Sequence, residues 1–271
     1  MKPNEKPPEN HHRVSRLRSP VGSAQILQLA GVFVTLIVWQ LVISSRALGE
    51  GLSDAFSPID SFKSLYRLTV NGELIHQVLP SLKRILVGLT VATAIGFFFG
   101  IVLGLNRSLE RFTYTTFQFL RMISPLAWMP IAIILLGIGD KPIYFLLVIA
   151  AVWPVMMETQ MGVRGVNPLW VSVVRTLGGS KWQVLRKVVM PAVIPHILTG
   201  LKLAVGISWI ILVPAEMLGV SSGLGYYILD CRDRFSYDEM MAIIMVIGLM
   251  GLLFDAVIGA LLAKMSWSNS E

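Results

Sequence analysis

Three polar side chains are spaced by seven residues within an otherwise apolar stretch, residues 194–217. They are Lys202, Trp209 and Glu216, and Gly206 lies close to the same line. Seven residues return to nearly the same face of a helix, so the cation and the acid would lie roughly 21 Å apart along one stripe. Polar groups at such depth in a membrane face a cavity or a partner. The spacing therefore predicts a path along which Lys202 attracts a small anion.

Simpler roles for the two charged residues remain open. Lys202 lies only a few residues into the apolar stretch, and its side chain can extend to the nearer membrane surface. Glu216 can accept hydrogen bonds from the backbone of residues 219–225. The sequence contains no nucleophile–base arrangement and no His/Cys/Asp cluster with metal-ligand spacing. We therefore predict no catalytic residue and no metal site.

A proline-containing segment, SPLAWMP at residues 124–130, is a second candidate for the same path. Each proline removes a backbone donor, and inside a membrane the freed carbonyls must face protein or a wet cavity. Ser124, Pro125 and Trp128 are therefore candidate path residues. A purely structural kink explains the prolines equally well.

The composition indicates that membrane helices position these residues. The chain has 271 residues, of which 54% are hydrophobic and 14% charged, whereas soluble domains have about 25% charged residues. Apolar stretches long enough to suggest crossings cover residues 26–43, 85–105, 122–138, 142–157, 194–217 and 240–263. We predict an all-α membrane protein with about six transmembrane helices.

Charge is distributed unequally between the two sides of this arrangement. If the N-terminus is cytoplasmic, the cytoplasmic segments have an excess of Lys and Arg and the outer segments do not. This bias predicts that both termini are cytoplasmic, and it explains the net charge of +7 without nucleic-acid binding. Residues 1–25 are predicted to be a basic, disordered N-terminus, residues 26–265 the membrane domain and residues 266–271 a tail.

A charged segment, residues 167–191, separates the fourth and fifth apolar stretches and must lie in water. Its first helix is predicted to start at Asn167 and to stop at Gly178 and Gly179. Its second helix is predicted to start at Ser180 and to end at Pro191. One apolar face of the first helix contains Leu169, Val173, Val174 and Leu177. The segment is predicted to be a docking surface for a soluble partner, or a hairpin lying on lipid headgroups.

The same segment resembles the signature E-A-A-x-x-x-G, nine residues, then I-x-L-P, of permease subunits in bacterial ABC importers. Gly178 and Pro191 match its glycine and proline, and Val188 and Met190 replace its Ile and Leu. Ser172, Val173 and Val174 stand in place of Glu-Ala-Ala, so the acidic residue is missing. The string RTLG at residues 175–178 resembles the corresponding sequence in the nitrate/sulfonate/taurine/bicarbonate branch of the family. Four other segments also resemble sequences of this branch: residues 81–88, 123–133, 200–218 and 222–228.

This resemblance implies the type I ABC importer permease fold, with a cytoplasmic two-helix coupling segment at residues 162–191. It implies a non-enzymatic, pore-forming subunit in the bacterial inner membrane, with ATP and Mg in a partner ATPase and no cofactor in this chain. The sequence has no G-x-x-x-x-G-K-[ST] phosphate loop. The residues implied in ATPase coupling are Ser172, Arg175, Thr176, Leu177, Gly178, Gly179, Ser180, Lys181 and Pro191.

The implied partners are membrane lipid, a second permease copy in a homodimer, two cytoplasmic ATP-binding subunits and a periplasmic or lipid-anchored substrate-binding protein. The implied cargo is a small anion, namely nitrate, bicarbonate, cyanate or a sulfonate such as taurine. A secondary transporter or channel that works without an ATPase is the alternative.

Overall fold

The computed structural model describes residues 21–45 and 56–267, and the regular structure of those residues is entirely helical. The chain divides into two units, residues 1–58 and 59–271. The first unit contains α1 (Val21–Ser44). The chain that follows contains α2 (Pro58–Val70), α3 (Glu73–Leu105), α4 (Arg107–Met122), a 3-10 turn (Pro125–Trp128), α5 (Met129–Leu136), α6 (Asp140–Arg164), α7 (Pro168–Thr176), α8 (Lys181–Val184), a π-helical turn (Leu185–Val189), α9 (Met190–Gly219), α10 (Leu224–Asp233) and α11 (Tyr237–Trp267).

The described helices agree with the predicted number of crossings. Four of them, α3, α6, the continuous helix Lys181–Gly219 and α11, are long and apolar enough to cross a membrane, and the pair α4–α5 adds a broken fifth. With the 24-residue helix α1, the prediction of an all-α protein with about six transmembrane helices is confirmed. Helix α1 begins at Val21, before the predicted start of the membrane domain, and residues 1–20 and 268–271 lie outside the described residues.

The third crossing was predicted to be one kinked helix over residues 122–138, but the structure shows two helices with a break between them. It starts earlier, at Arg107, and breaks after Met122, where α4 and the following helical segment meet at 85°. Ile123 and Ser124 have extended ψ angles of 126°. Pro125 explains the break because a proline disfavours the helical conformation of the residue before it.

The centre of the bundle is α6, which packs between α3 and α9. Leu146, Leu147, Ala151 and Val155 on α6 are fully or almost fully buried. Along α3, Gly88, Ala92, Gly96, Gly100 and Gly104 recur every four residues and form a smooth stripe. A Cβ atom at Gly96 would lie 2.8 Å from the backbone oxygen of Val152. The backbones of α3 and α6 approach this closely only because no side chain of the stripe is larger than a methyl group.

We expect Gly100→Val to lower the free energy of unfolding by about 1–3 kcal/mol, because overpacking forces α3 away from α6. The added Cβ would lie 2.6 Å from the Cβ of Thr159. Denaturant titration of the purified protein in detergent measures this change. The matched control is Gly248→Val on α11, where no atom lies within 4 Å of the added Cβ. Equal stability of the two variants would contradict the close contact.

Candidate functional site

The first helix of the coupling segment, α7, has the predicted boundaries. The Asn167 side chain caps it by accepting a hydrogen bond from the backbone N–H of Leu169 at 2.9 Å. Pro168 occupies the first turn, where its missing N–H costs nothing. The helix ends before Gly178, whose φ of 77° lies in the left-handed region. Local sequence therefore determines where this helix begins and ends.

Two neighbouring glycines form the turn after α7 for different physical reasons. Gly178 has a left-handed backbone, yet a Cβ there would meet no atom within 4 Å. A Cβ at Gly179 would lie 2.5 Å from Cγ1 of Val174. Gly179 also donates its backbone N–H to the Val174 oxygen at 2.9 Å. Gly178 thus permits the turn, whereas Gly179 lets the chain return closely against α7.

The second helix of the coupling segment starts as predicted but does not end at Pro191. Ser180 and Gln183 form a reciprocal capping box at its start. The helix then passes through the π-helical turn Leu185–Val189 and continues as α9 without a break. The predicted end at Pro191 is therefore wrong. The wide turn immediately before Pro191 accommodates the hydrogen bond that proline cannot donate, so the helix continues.

An apolar ridge on α7 has no partner within the described part of the chain. Leu169, Val173 and Leu177 recur every four residues and are 70%, 57% and 82% exposed. Val174 was predicted on the same face, but it packs inward against a cluster that contains Val163 and Val184. The inward side of α7 is therefore anchored to α6 and α8, while the ridge remains free to contact another protein.

The polar residues of the coupling segment surround this ridge. The hydroxyls of Ser172 and Thr176 donate to backbone oxygens one turn earlier, each at 3.0 Å. Arg175 and Lys181 line a groove of about 480 Å³ together with Trp182. Among the described residues, Arg175 and Lys181 form no ion pair with a carboxylate, so their charges are available to an acidic partner surface.

The candidate path residues of the third crossing do not share one environment. Ser124 is exposed at the break after α4. Pro125 lines a cavity of about 370 Å³ between the break, α6 and α9. Trp128 packs instead against the largest hydrophobic core cluster. The structure thus gives the proline break both a structural role and a place at the wall of a cavity.

Two side chains of the predicted stripe on α9 contact α11. Lys202 lies 3.0 Å from Asp255 on α11. Trp209 is buried against α11 and donates its indole N–H to the Ile247 oxygen at 3.1 Å. Gly206 is exposed, with no atom within 4 Å of an added Cβ. Lys202 and Gly206 remain path predictions, but the lysine charge is already compensated by Asp255.

Glu216 does not face a path in this structure, and its predicted place on the stripe is corrected. Its side chain has no exposed surface. The carboxylate accepts hydrogen bonds from the hydroxyl of Ser81, the guanidinium of Arg84 at 2.7 Å and the backbone N–H of Gly225 at 2.9 Å. The Gly225 bond is the backbone contact named as the alternative role for Glu216. A buried carboxylate needs such a complete set of partners.

Arg84 is the structural residue that the sequence patterns did not identify. Its guanidinium joins Glu216 on α9 to Asp140 at the start of α6, at 2.7 and 2.8 Å. It also donates to the backbone oxygen of Ser222 at 2.7 Å. A Cβ at Gly223 would lie 2.5 Å from this guanidinium. A basic residue just before an apolar stretch was the available signal, but its partners lie far away in sequence.

Comparison with known proteins agrees with these features. Residues 92–267 match the family described as binding-protein-dependent transport system inner membrane component. The chain is 37% identical over 238 residues to the bicarbonate transport system permease protein CmpB of Synechococcus elongatus, covering 85% of each chain. It is 33% identical over 241 residues to the nitrate import permease protein NrtB of Leptolyngbya laminosa, covering 86% of this chain and 84% of that one.

A solved structure supports the fold. The crystal structure of an amino acid ABC transporter with histidines matches with a TM-score of 0.61 at 16% identity, covering 74% of this chain and 97% of that one. Permeases of this family work with ATP-binding subunits and substrate-binding proteins, and the separate ATPase hydrolyses the ATP. The chain therefore belongs to the binding-protein-dependent inner-membrane component family, and it is a non-enzymatic, multi-pass permease subunit of an ABC transporter in the inner membrane.

Proposed function

We propose that two copies of this chain form the inward path for a small oxyanion such as bicarbonate, nitrate, cyanate or a sulfonate. Two cytoplasmic ATP-binding subunits hold Mg and ATP, and a periplasmic or lipid-anchored protein delivers the anion. Both termini lie in the cytoplasm, together with the coupling segment. The names of the two similar permeases support the choice of cargo, and the excess of basic residues supports the orientation.

The observation that carries this proposal is that α7 exposes an apolar ridge on one side and packs its other side, the base of α7, against the chain. Leu169, Val173 and Leu177 face away from the chain, whereas Val174 packs against α6 and α8. A short helix held in this way moves as a rigid body when a partner grips its ridge. The other residues assigned to coupling position this ridge or border it; they are Ser172, Arg175, Thr176, Gly178, Gly179, Ser180, Lys181 and Pro191.

The base of α7 connects this motion to the membrane helices. Val163 on α6 and Val193 on α9 belong to the same buried cluster as Val184 and Val189 beneath α7. Close packing transmits displacement because the interior has few voids to absorb it. Helices α6 and α9 are also the walls of the 370 Å³ cavity beside Pro125. ATP-driven movement of α7 would therefore reshape that cavity.

Transport by the complete complex tests this function. The chain is reconstituted in proteoliposomes with the ATP-binding subunit and the binding protein, and uptake of labelled bicarbonate, nitrate, cyanate and taurine is measured separately. We expect one of these anions to accumulate only when ATP and the binding protein are both present. Equal uptake without the ATP-binding subunit would instead identify a channel or secondary transporter. Absence of ATP-driven uptake of all four anions would contradict the proposed cargo class.

A further inference from the structure

A cleft made of two adjacent cavities follows the broken third crossing. One cavity of about 370 Å³ lies between the break, α6 and α9, and a second of about 220 Å³ continues between α4 and α6. Arg121, Trp153, Met157 and Met161 line both cavities. Because these side chains border both cavities, the two cavities are adjacent, and together they are called the passage.

Arg121 is the basic residue at the junction of the two cavities. It lies in the last turn of α4, directly before the break. One terminal nitrogen lies 2.8 Å from the Met157 sulfur, and the other donates to the Gln118 side-chain oxygen at 3.1 Å. Both partners are uncharged, and a thioether is a weak acceptor. Within residues 21–45 and 56–267, no carboxylate forms an ion pair with this guanidinium.

Two other cations, one buried at the end of an apolar stretch and one within such a stretch, are compensated by acids of the same chain. Arg84 pairs with Glu216 and Asp140, and Lys202 pairs with Asp255. A charged group inside a membrane is costly unless an opposite charge or water accompanies it. Among the described residues Arg121 has no carboxylate within ion-pair distance, and it is therefore a better candidate than Lys202 for contact with a transported anion.

We propose that Arg121 binds the transported oxyanion halfway along the passage, an assignment that rests on the proposed function of anion import. A guanidinium presents donors in a planar fork that matches two oxygens of an oxyanion. Apolar rings border the cleft beside the guanidinium: Phe117, one turn before Arg121 on α4, lies edge-on to Trp153 on α6, with ring centroids 5.7 Å apart. The apolar wall limits competition from water and strengthens the contact between the guanidinium and the anion.

An acidic group in the same cleft keeps this site from holding the anion too tightly. Glu158 lines the larger cavity, and its carboxylate lies 3.6 Å from Nδ1 of His196. Its negative charge repels an anion at Arg121. A conducting site must attract its ion and also release it. The pairing of one unneutralised cation with a nearby acid meets both requirements.

Charge removal at Arg121 tests the assignment in the reconstituted complex with the binding protein. We expect Arg121→Gln to reduce ATP-driven anion uptake by about tenfold or more, because a charge-assisted hydrogen bond is lost. Arg121→Lys, which keeps the charge without the fork, should retain more uptake than Arg121→Gln. The matched control is Arg111→Gln on the same helix, where the side chain is exposed, and its uptake should equal that of the unchanged protein.

Two further readouts separate anion binding from a structural role. Binding-protein-stimulated ATP hydrolysis and the melting temperature of Arg121→Gln should match those of the unchanged complex, since α7 and its base are intact. Loss of both would show that Arg121 supports the fold, and unchanged uptake would show that it does not contact the anion. Either result would overturn the assignment. These results differ from a failure of the proposed function, in which the unchanged complex itself would show no ATP-driven anion uptake.

Discussion

Arg84→Met should lower the free energy of unfolding of the membrane domain by about 3–5 kcal/mol, the usual cost of removing one partner from a buried ion pair. The substitution leaves Glu216 without its 2.7 Å cationic partner in a site with no exposed surface. It also removes the link between α3, α6 and the segment around Ser222. Denaturant titration of the detergent-solubilised protein measures the loss.

The neighbouring residue provides the control for this experiment. Lys83 has the same charge and is exposed, so Lys83→Met should change stability by less than about 0.5 kcal/mol. The double variant Arg84→Met/Glu216→Leu should recover part of the loss, because an apolar pair leaves no buried charge uncompensated. If Arg84→Met is as stable as Lys83→Met, the buried ion pair does not hold these helices together.

Gly178→Asp should abolish ATP-driven uptake while leaving the chain folded in the membrane. Aspartate tolerates the left-handed backbone better than most residues, and its Cβ would meet no atom of this chain within 4 Å. The carboxylate would lie beside Leu177, at the end of the exposed ridge. Burying that charge against the ATP-binding subunit should weaken the contact by about 2 kcal/mol, roughly thirtyfold. Transport and binding of the ATP-binding subunit measure the effect.

A charge that the related signature itself carries within α7 is the matched control for Gly178→Asp. Ser172 occupies the position at which the related signature has glutamate, and its side chain is exposed. Ser172→Glu should therefore keep both uptake and binding of the ATP-binding subunit. Normal uptake by Gly178→Asp, or equal loss in both variants, would show that the turn at Gly178 is not part of the contact.

Local patterns predicted those parts of the structure that depend on neighbours in sequence. The cap at Asn167, the turn at Gly178 and the cap at Ser180 involve side chains and backbone only a few residues apart. The small-residue stripe of α3 was also visible, because its spacing of four residues defines a helix face. The stripe predicted a close contact, although its partner α6 could be identified only from the fold.

Long-range partners explain what the sequence could not predict. The spacing of Lys202 and Glu216 suggested a shared face, yet Asp255 and Arg84 compensate them from different helices. Arg121 was visible as a charge within the membrane, but its importance depends on the absence of a carboxylate among the described residues around it. That absence is a property of the packed helices, which no local pattern contains.

The continuation of the helix past Pro191 has a different cause. Rules for proline concern the ordinary helical hydrogen bond, whereas the wide turn at Leu185–Val189 changes the bonding pattern before the proline is reached. The rule for proline therefore predicted a helix end at Pro191, where the helix in fact continues. Because the helix is continuous there, α8 and α9 can move with α7 as one body.

Protection of a cysteine at position 177 most directly tests whether an ATP-binding subunit holds the α7 ridge in the cytoplasm. Burial, and then the charge of Glu239, raise the pKa of the only native thiol, Cys231, to about 12. This buried thiol should not react at neutral pH. In Leu177→Cys, a membrane-impermeant maleimide should label the new thiol from the cytoplasmic side, and the ATP-binding subunit should block labelling. Labelling from the outer side, or labelling unaffected by the ATP-binding subunit, would contradict this arrangement.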